Sequence, residues 1–224
     1  MIERPNLFQL ATEELSQDAF LTWLLQWAAP MQRANDRHLS ECDRQFVALL
    51  LNEKPNFKVT SIKAGRQWNN VDVWAEINSN TLLLIEDKKH AGQHGGQLET
   101  YRAMAGAWCE HPERGQPWRL VCVYLKTGNE AASGLAVIQR KGYNTVGRAA
   151  LVALFEQHRL ITNEIFLDFL AYLNALDGAA AGYLNKPWNH WHNGDWEGFY
   201  LWLDTQSGVQ KDKWFWVDNS SGGF

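Results

Sequence analysis

The chain reads as α/β, a central mixed sheet with helices on both faces. Three observations lead there. Segments of helical and strand periodicity follow one another as helix, helix, strand, strand, strand, helix, strand, helix. "VDVWAEI", "NSN" and "TLLLIEDK" spell strand, turn, strand, so the sheet holds an antiparallel hairpin and is mixed rather than purely parallel. Across 224 residues, 46% hydrophobic and 21% charged side chains supply the core of one domain, or of one domain with an appendage.

Taken in order, "SQDAFLTWLLQWAAP" predicts a helix with Ser16 as N-cap, with Phe20, Trp23, Leu24 and Trp27 at helical spacing and Pro30 closing it. "DRHLSECDRQFVALLLNE" predicts a second amphipathic helix that stops near Pro55. "FKVTSIKAGRQ" alternates loosely as a strand and leads into the hairpin. "GGQLETYRAMAGAWCEH" is a helix after a double glycine, and "WRLVCVYLKT" is a strongly apolar strand. "AVIQRKGYNTV" reads as a weak strand or loop, and "GRAALVALFEQHRL" and "NEIFLDFLAYLNAL" as two further helices.

Composition excludes several classes. A net charge of −4 gives no whole-molecule attraction to nucleic acid, so such a site needs a local basic surface or bound cations. Cys42, Cys109 and Cys122 are odd in number and lack CxxC spacing, which speaks against a disulfide framework and for a reducing cytoplasm. "MIERPNLFQL" is too polar for a leader, and the apolar runs fall short of a membrane span, so no membrane partner is expected.

The stretch "LLLIEDKKH" poses the chemical question, because a buried strand runs straight into Glu86, Asp87, Lys88 and Lys89. With Asn78, Ser79 and Asn80 as a three-residue turn, Ile77 pairs with Thr81 and Asp72 falls opposite Glu86. Val71, Val73, Ala75, Ile77, Thr81, Leu83 and Ile85 then share one apolar face. Asp72, Trp74, Glu76, Leu82, Leu84, Glu86 and Lys88 share the other. A two-residue turn would instead separate Asp72 from Glu86 and leave Asp87-x-Lys89 as the matching pair. The three-residue turn is preferred because it alone gives one clean apolar face. Facing carboxylates repel and are costly to desolvate. A hard divalent cation, Mg²⁺ or Mn²⁺, would relieve both penalties, and Lys88 stands on the same face to position or deprotonate water.

At these residues the sequence resembles the PD-(D/E)xK nuclease superfamily, the restriction-endonuclease-like fold. "EELSQDAFLTWLL" resembles the opening of one bacterial branch, with Glu14, or else Glu13, at its acidic position. "NVDVWAEI" resembles the aspartate strand, "LLLIEDKKH" the ExK strand and "GGQLETYR" the Q-x-x-x-Y helix. The match spans roughly residues 6 to 126 with its motifs in order. Val71 stands where the motif's name has proline. The resemblance implies an α/β/α sandwich with an αβββαβ core over residues 1–160, and a helical, Trp-rich extension over 161–224 packed on the same domain. It implies Mg²⁺- or Mn²⁺-dependent hydrolysis of phosphodiesters, in DNA ahead of RNA. Asp72, Glu86 and Lys88 would be catalytic. Asp72, Glu86, the backbone carbonyl of Asp87 and Glu14 would hold metal. Gln97, with Tyr101 one helical turn on, would contact substrate or orient Lys88. Lys89 and His90, beside the charged strand end, are further candidate substrate contacts. The alternative is a catalytically inactive nucleic-acid-binding or defence-system interaction module on the same fold, and a homodimer is compatible with either.

Other residues carry weaker signals. Lys58, Lys63, Arg66, Lys88, Lys89 and Arg102 would supply the local basic surface. His90 and His94 read as loop histidines, and His190 and His192, at strand-like spacing, as solvent-facing or stacking residues rather than zinc ligands. In the aromatic tail, "KWFWVD" alternates as a strand and "NSSGG" reads as a hairpin turn without a following strand. A truncated chain, or an edge strand completed by another chain, would explain it.

Overall fold

Five strands form one sheet in the order β1-β2-β3-β4-β5. They are β1 (Ile62–Trp68), β2 (Val71–Ile77), β3 (Thr81–Lys88), β4 (Arg119–Lys126) and β5 (Asn144–Gly147). The first three are antiparallel neighbours, and β3, β4 and β5 run parallel, so the sheet is mixed as the hairpin requires. The computed structural model describes residues 6–11, 14–89 and 96–206. Eight helices accompany the strands among the described residues: α1 (Leu7–Leu10), α2 (Glu14–Gln26), α3 (Arg37–Leu51), α4 (Gln97–Cys109), α5 (Ala132–Arg140), α6 (Arg148–Phe155), α7 (Glu164–Ala181) and α8 (Asn193–Thr205).

Both sheet faces are covered. On one, Val73, Ala75, Ile77, Leu83, Ile85, Val123 and Leu125 pack against Leu21, Leu24 and Leu25 of α2, Phe46 and Leu50 of α3, Phe155 of α6 and Phe166 and Phe169 of α7. On the other, Leu82, Leu84, Cys122 and Tyr124 meet Leu98, Ala105 and Cys109 of α4 and Ile138 of α5. The central strand β3 is buried along all eight residues. With helices packed on both faces of the sheet, this inner strand has no wet face, which explains its unbroken Leu-Leu-Leu-Ile run.

Local chemistry fixes the register. The β2–β3 turn places Asn78 and Ser79 at φ 53°, a left-handed conformation that asparagine tolerates. The Asn78 side chain accepts from the Thr60 N–H at 2.7 Å and donates to the Lys58 carbonyl at 2.9 Å. Those bonds tie the turn to the segment entering β1. Ile77 pairs with Thr81 and Val73 with Ile85, the register expected from a three-residue turn.

Several expectations need correction. Ser16 lies inside α2, which begins at Glu14, and Pro30 opens a 3₁₀ turn rather than merely ending a helix. The segment read as a weak strand or loop contains helix α5 before the short β5. His190 sits in a 3₁₀ turn and His192 is the N-cap of α8, so neither is on a strand. Val71 packs in the second cluster with Trp68 and not on the apolar face of Val73. Gln67, between the Arg66–Val73 and Trp68–Val71 pairs, has φ 55°, a left-handed conformation at the hairpin end of β1. The strand and turn read into "KWFWVDNSSGG" lie outside the described residues, as do His90 and His94.

The three cysteines are buried and form no disulfide. Burial pushes the thiols of Cys109 and Cys122 up to about 11. Glu164–Leu184 is long and apolar enough to cross a membrane by length and composition alone. Its Phe166, Phe169, Tyr172 and Leu173 are instead buried in the core.

Asp43 of α3 is fully buried, and desolvation holds its carboxyl well above the ordinary range, offset only in part by the backbone at Ala28. The folded chain therefore keeps a proton that the unfolded chain releases near pH 4. Its contribution to stability falls as pH rises above that point, by up to about 1.4 kcal/mol per unit. Asp43→Asn should remove this slope. Urea denaturation from pH 4 to 8 should show the variant gaining on the natural chain as pH rises.

Candidate active site

Four fully buried residues, Leu82 to Ile85, pull β3 into the interior and carry its charged end with them. Burying each such side chain stabilises by about 1.5–3 kcal/mol. Together they offset part of the several kcal/mol that each desolvated ion costs, and the ion pairs and hydrogen bonds at the strand end offset more. Glu86, Asp87 and Lys88 end up 2%, 0% and 8% exposed.

Their side chains alternate across the sheet. Glu86 and Lys88 follow Leu82 and Leu84 onto the face covered by α4. Beyond the Val73–Ile85 pair, the Asp72 carboxylate accepts the N–H of Asp87 at 3.0 Å. Lys88 Nζ lies 2.8 Å from Glu86 Oε1 and 3.4 Å from Asp72 Oδ2. The hairpin thus brings together the three residues that the pattern singled out, with the ammonium between two carboxylates.

Asp87 faces the opposite way. Its Oδ1 accepts a short hydrogen bond from Gln17 Nε2 of α2, and Gln17 Oε1 accepts from Thr127 Oγ1 at 2.9 Å. The Thr127 N–H in turn donates to the Lys88 carbonyl at 3.2 Å. All three side chains are buried, so this bridge clamps the back of the charged strand to α2 and to the end of β4. Nothing in the local sequence signals Gln17, because its partners lie 70 and 110 residues away.

Lys126 also escaped the pattern. It stands beside Lys88 in the parallel register, with its side chain 3% exposed and Nζ 3.2 Å from Glu130 Oε2. The available signal was an apolar strand ending in lysine next to the ExK strand. Neighbouring parallel strands present their C-terminal ends to one site.

The remaining residues divide. Gln97 Nε2 donates to Tyr101 Oη at 2.9 Å, one helical turn apart on α4, which covers the face that carries Glu86. Lys89 turns away from Lys88, with Nζ 5.0 Å from the centre of the Tyr172 ring on α7. The side chain of Glu14, at the start of α2, and the whole of His90 lie outside the described residues. The expected basic cluster is split. Lys63 lies over Trp74, whereas Arg66 donates to the Leu15 carbonyl of α2 and Lys89 packs on α7.

Among the described residues no three His, Cys, Asp or Glu side chains gather as a metal cage. The donor set that does converge is two carboxylates, Asp72 and Glu86, with net charge −1 once Lys88 is counted. Mg²⁺ keeps several waters and is commonly bound by one or two carboxylates plus substrate phosphate. The residues present fit that habit and do not fit a structural zinc site.

Scans against protein-family models, curated proteins and solved structures found no match to this chain.

Two outcomes are expected. Gln17→Leu removes a buried charge-assisted hydrogen bond and should cost about 1.5–3 kcal/mol in urea denaturation. Lys88→Ala takes the ammonium from between two buried carboxylates. Its Tm should fall in EDTA and recover in millimolar Mn²⁺ by more than the natural chain gains.

Proposed function

We propose that the chain is a metal-dependent nuclease of the PD-(D/E)xK type on a restriction-endonuclease-like fold, hydrolysing phosphodiesters in DNA ahead of RNA. The observation that carries this is the convergence of Asp72, Glu86 and Lys88 at the end of β3. Supporting it are the mixed sheet with helices on both faces and the Gln97–Tyr101 pair on the site's side.

Asp72 and Glu86 would hold a divalent cation, with the carbonyl of Asp87 and Glu14 as further donors. When bound, that cation supplies Lewis-acid stabilisation of charge on the phosphoryl oxygens. Lys88, flanked by two carboxylates, acts as an ammonium. It donates a hydrogen bond that orients water for in-line attack on phosphorus, and it offsets charge developing on the phosphate. The water oxygen forms the new bond to phosphorus as the ester oxygen leaves from the opposite side. The proton that the water gives up to solvent is balanced by one that the leaving oxygen takes from solvent. The buried Gln17–Asp87–Thr127 bridge holds the strand still, so that Lys88 keeps its place within the small tolerance such positioning demands. The low exposure of Glu86 and Lys88 strengthens each electrostatic contact.

Supercoiled plasmid, single-stranded DNA and RNA, each with Mg²⁺ or Mn²⁺ and with EDTA, test the reading. Metal-dependent cleavage should fall by about 100-fold or more in Asp72→Asn, Glu86→Gln and Lys88→Ala, as for loss of a charge-stabilising donor. Unchanged cleavage in all three variants, or binding of DNA in EDTA with no cleavage under either metal, contradicts it.

A further inference from the structure

A cleft of 370 Å³ opens where the chain leaves the charged strand, between the ends of β3 and β4 on one side and α7 and α8 on the other. Lys89, which follows Lys88 directly, lines it, and so does Gly128, which follows Thr127. The two backbones touch here, since a Cβ on Gly128 would sit 1.8 Å from the Lys89 carbonyl oxygen. The cleft wall therefore continues the strands that carry the candidate active site, but on the α7 face of the sheet. From there a bound strand would reach Glu86 and Lys88 over the ends of β3 and β4.

Its chemistry is graded. Lys89 and Arg148 bring cations to it. The Arg148 side chain is only 10% exposed and is held at Nε by Asp177, at Nη1 by the Thr127 carbonyl and at Nη2 by Asn129. A guanidinium has five N–H donors, so two remain after these three bonds. Asn129 is locked in turn, with Nδ2 2.6 Å from Glu197 Oε2. Glu197 and Asn193 of α8 add an acid and an amide, and Ala179 and Ala180 of α7 give an apolar floor.

We propose that this cleft is a subsite for one nucleotide of the strand being cleaved, a reading that rests on the nuclease assignment. The phosphate meets Lys89 and the remaining N–H groups of Arg148. The base lies on the alanine floor, with its edge toward Asn193 and Glu197, which offer both donor and acceptor groups. The volume lies at the small end of ligand sites and suits one nucleotide rather than a duplex. The bonds to Asp177, Thr127 and Asn129 pre-organise the arginine, so little freedom is lost on binding.

Fluorescence anisotropy with full-length Lys88→Ala protein in EDTA tests this. The probe is a short labelled single-stranded DNA, beside an abasic oligomer of the same length and charge. Asn193 is exposed at the start of α8, so Asn193→Trp covers the cleft without entering the core. It should weaken binding of the base-bearing strand about tenfold and leave the abasic oligomer unchanged. Lys89→Ala should weaken both. Each variant is compared at matched Tm. If Asn193→Trp binds like its parent, or loses equally with both oligomers, the subsite is refuted while the nuclease reading stands on its own cleavage data. If the Lys88→Ala parent binds neither oligomer, the subsite is refuted, while the nuclease reading is decided by its own metal-dependent cleavage data.

Discussion

The register of one hairpin governs everything the site can do. Side chains on a strand alternate, so a slip of one residue would send Asp72 and Glu86 to opposite faces. Asn78 prevents the slip. It adopts the left-handed conformation at the turn, and its amide is bonded to Thr60 and Lys58 outside the hairpin. A backbone preference at the far end of two strands thereby decides whether two carboxylates meet at the near end.

Meeting there is unfavourable in itself, and the surroundings explain why it persists. The apolar run of β3 commits the strand to the interior on both faces, so its charged end cannot retreat to solvent. Lys88 bridges the carboxylates in front. Gln17 and Thr127 engage Asp87 and the Lys88 carbonyl behind. Such an arrangement is rigid, nearly dry and one positive charge short of neutral. In the proposed reading, a divalent ion with its water shell would supply that charge, and substrate phosphate would bring the anion for the ion and Lys88 to share. The proposed nucleotide subsite in the cleft beyond Lys89 and Arg148 would extend the same logic to the neighbouring part of a bound strand.

Much of this was legible in the sequence, and the reasons are local. The hairpin announced itself through a turn of Asn, Ser and Asn between two strongly patterned strands, and the pairing followed from counting. The same counting put Val71 on the wrong face: it packs with Trp68 at the hairpin end, where the left-handed Gln67 departs from regular strand geometry and leaves no mark in the hydrophobic pattern. Helix α5 was hidden by its brevity, by an alanine N-cap and by Gly134 in its first turn. Gln17, Lys126 and Arg148 were missed for a different reason. Each is an ordinary polar residue at the edge of an element, and only tertiary contact with Asp87, Glu130 or Asp177 gives it a role.

The most direct measurement of the central claim is the anomalous scattering of manganese in crystals of the full chain soaked in MnCl₂. The account predicts one strong peak within bonding distance of carboxylate oxygens from both Asp72 and Glu86, with the Lys88 ammonium still beside them. A map with no peak there, or with the two carboxylates turned apart, would contradict it.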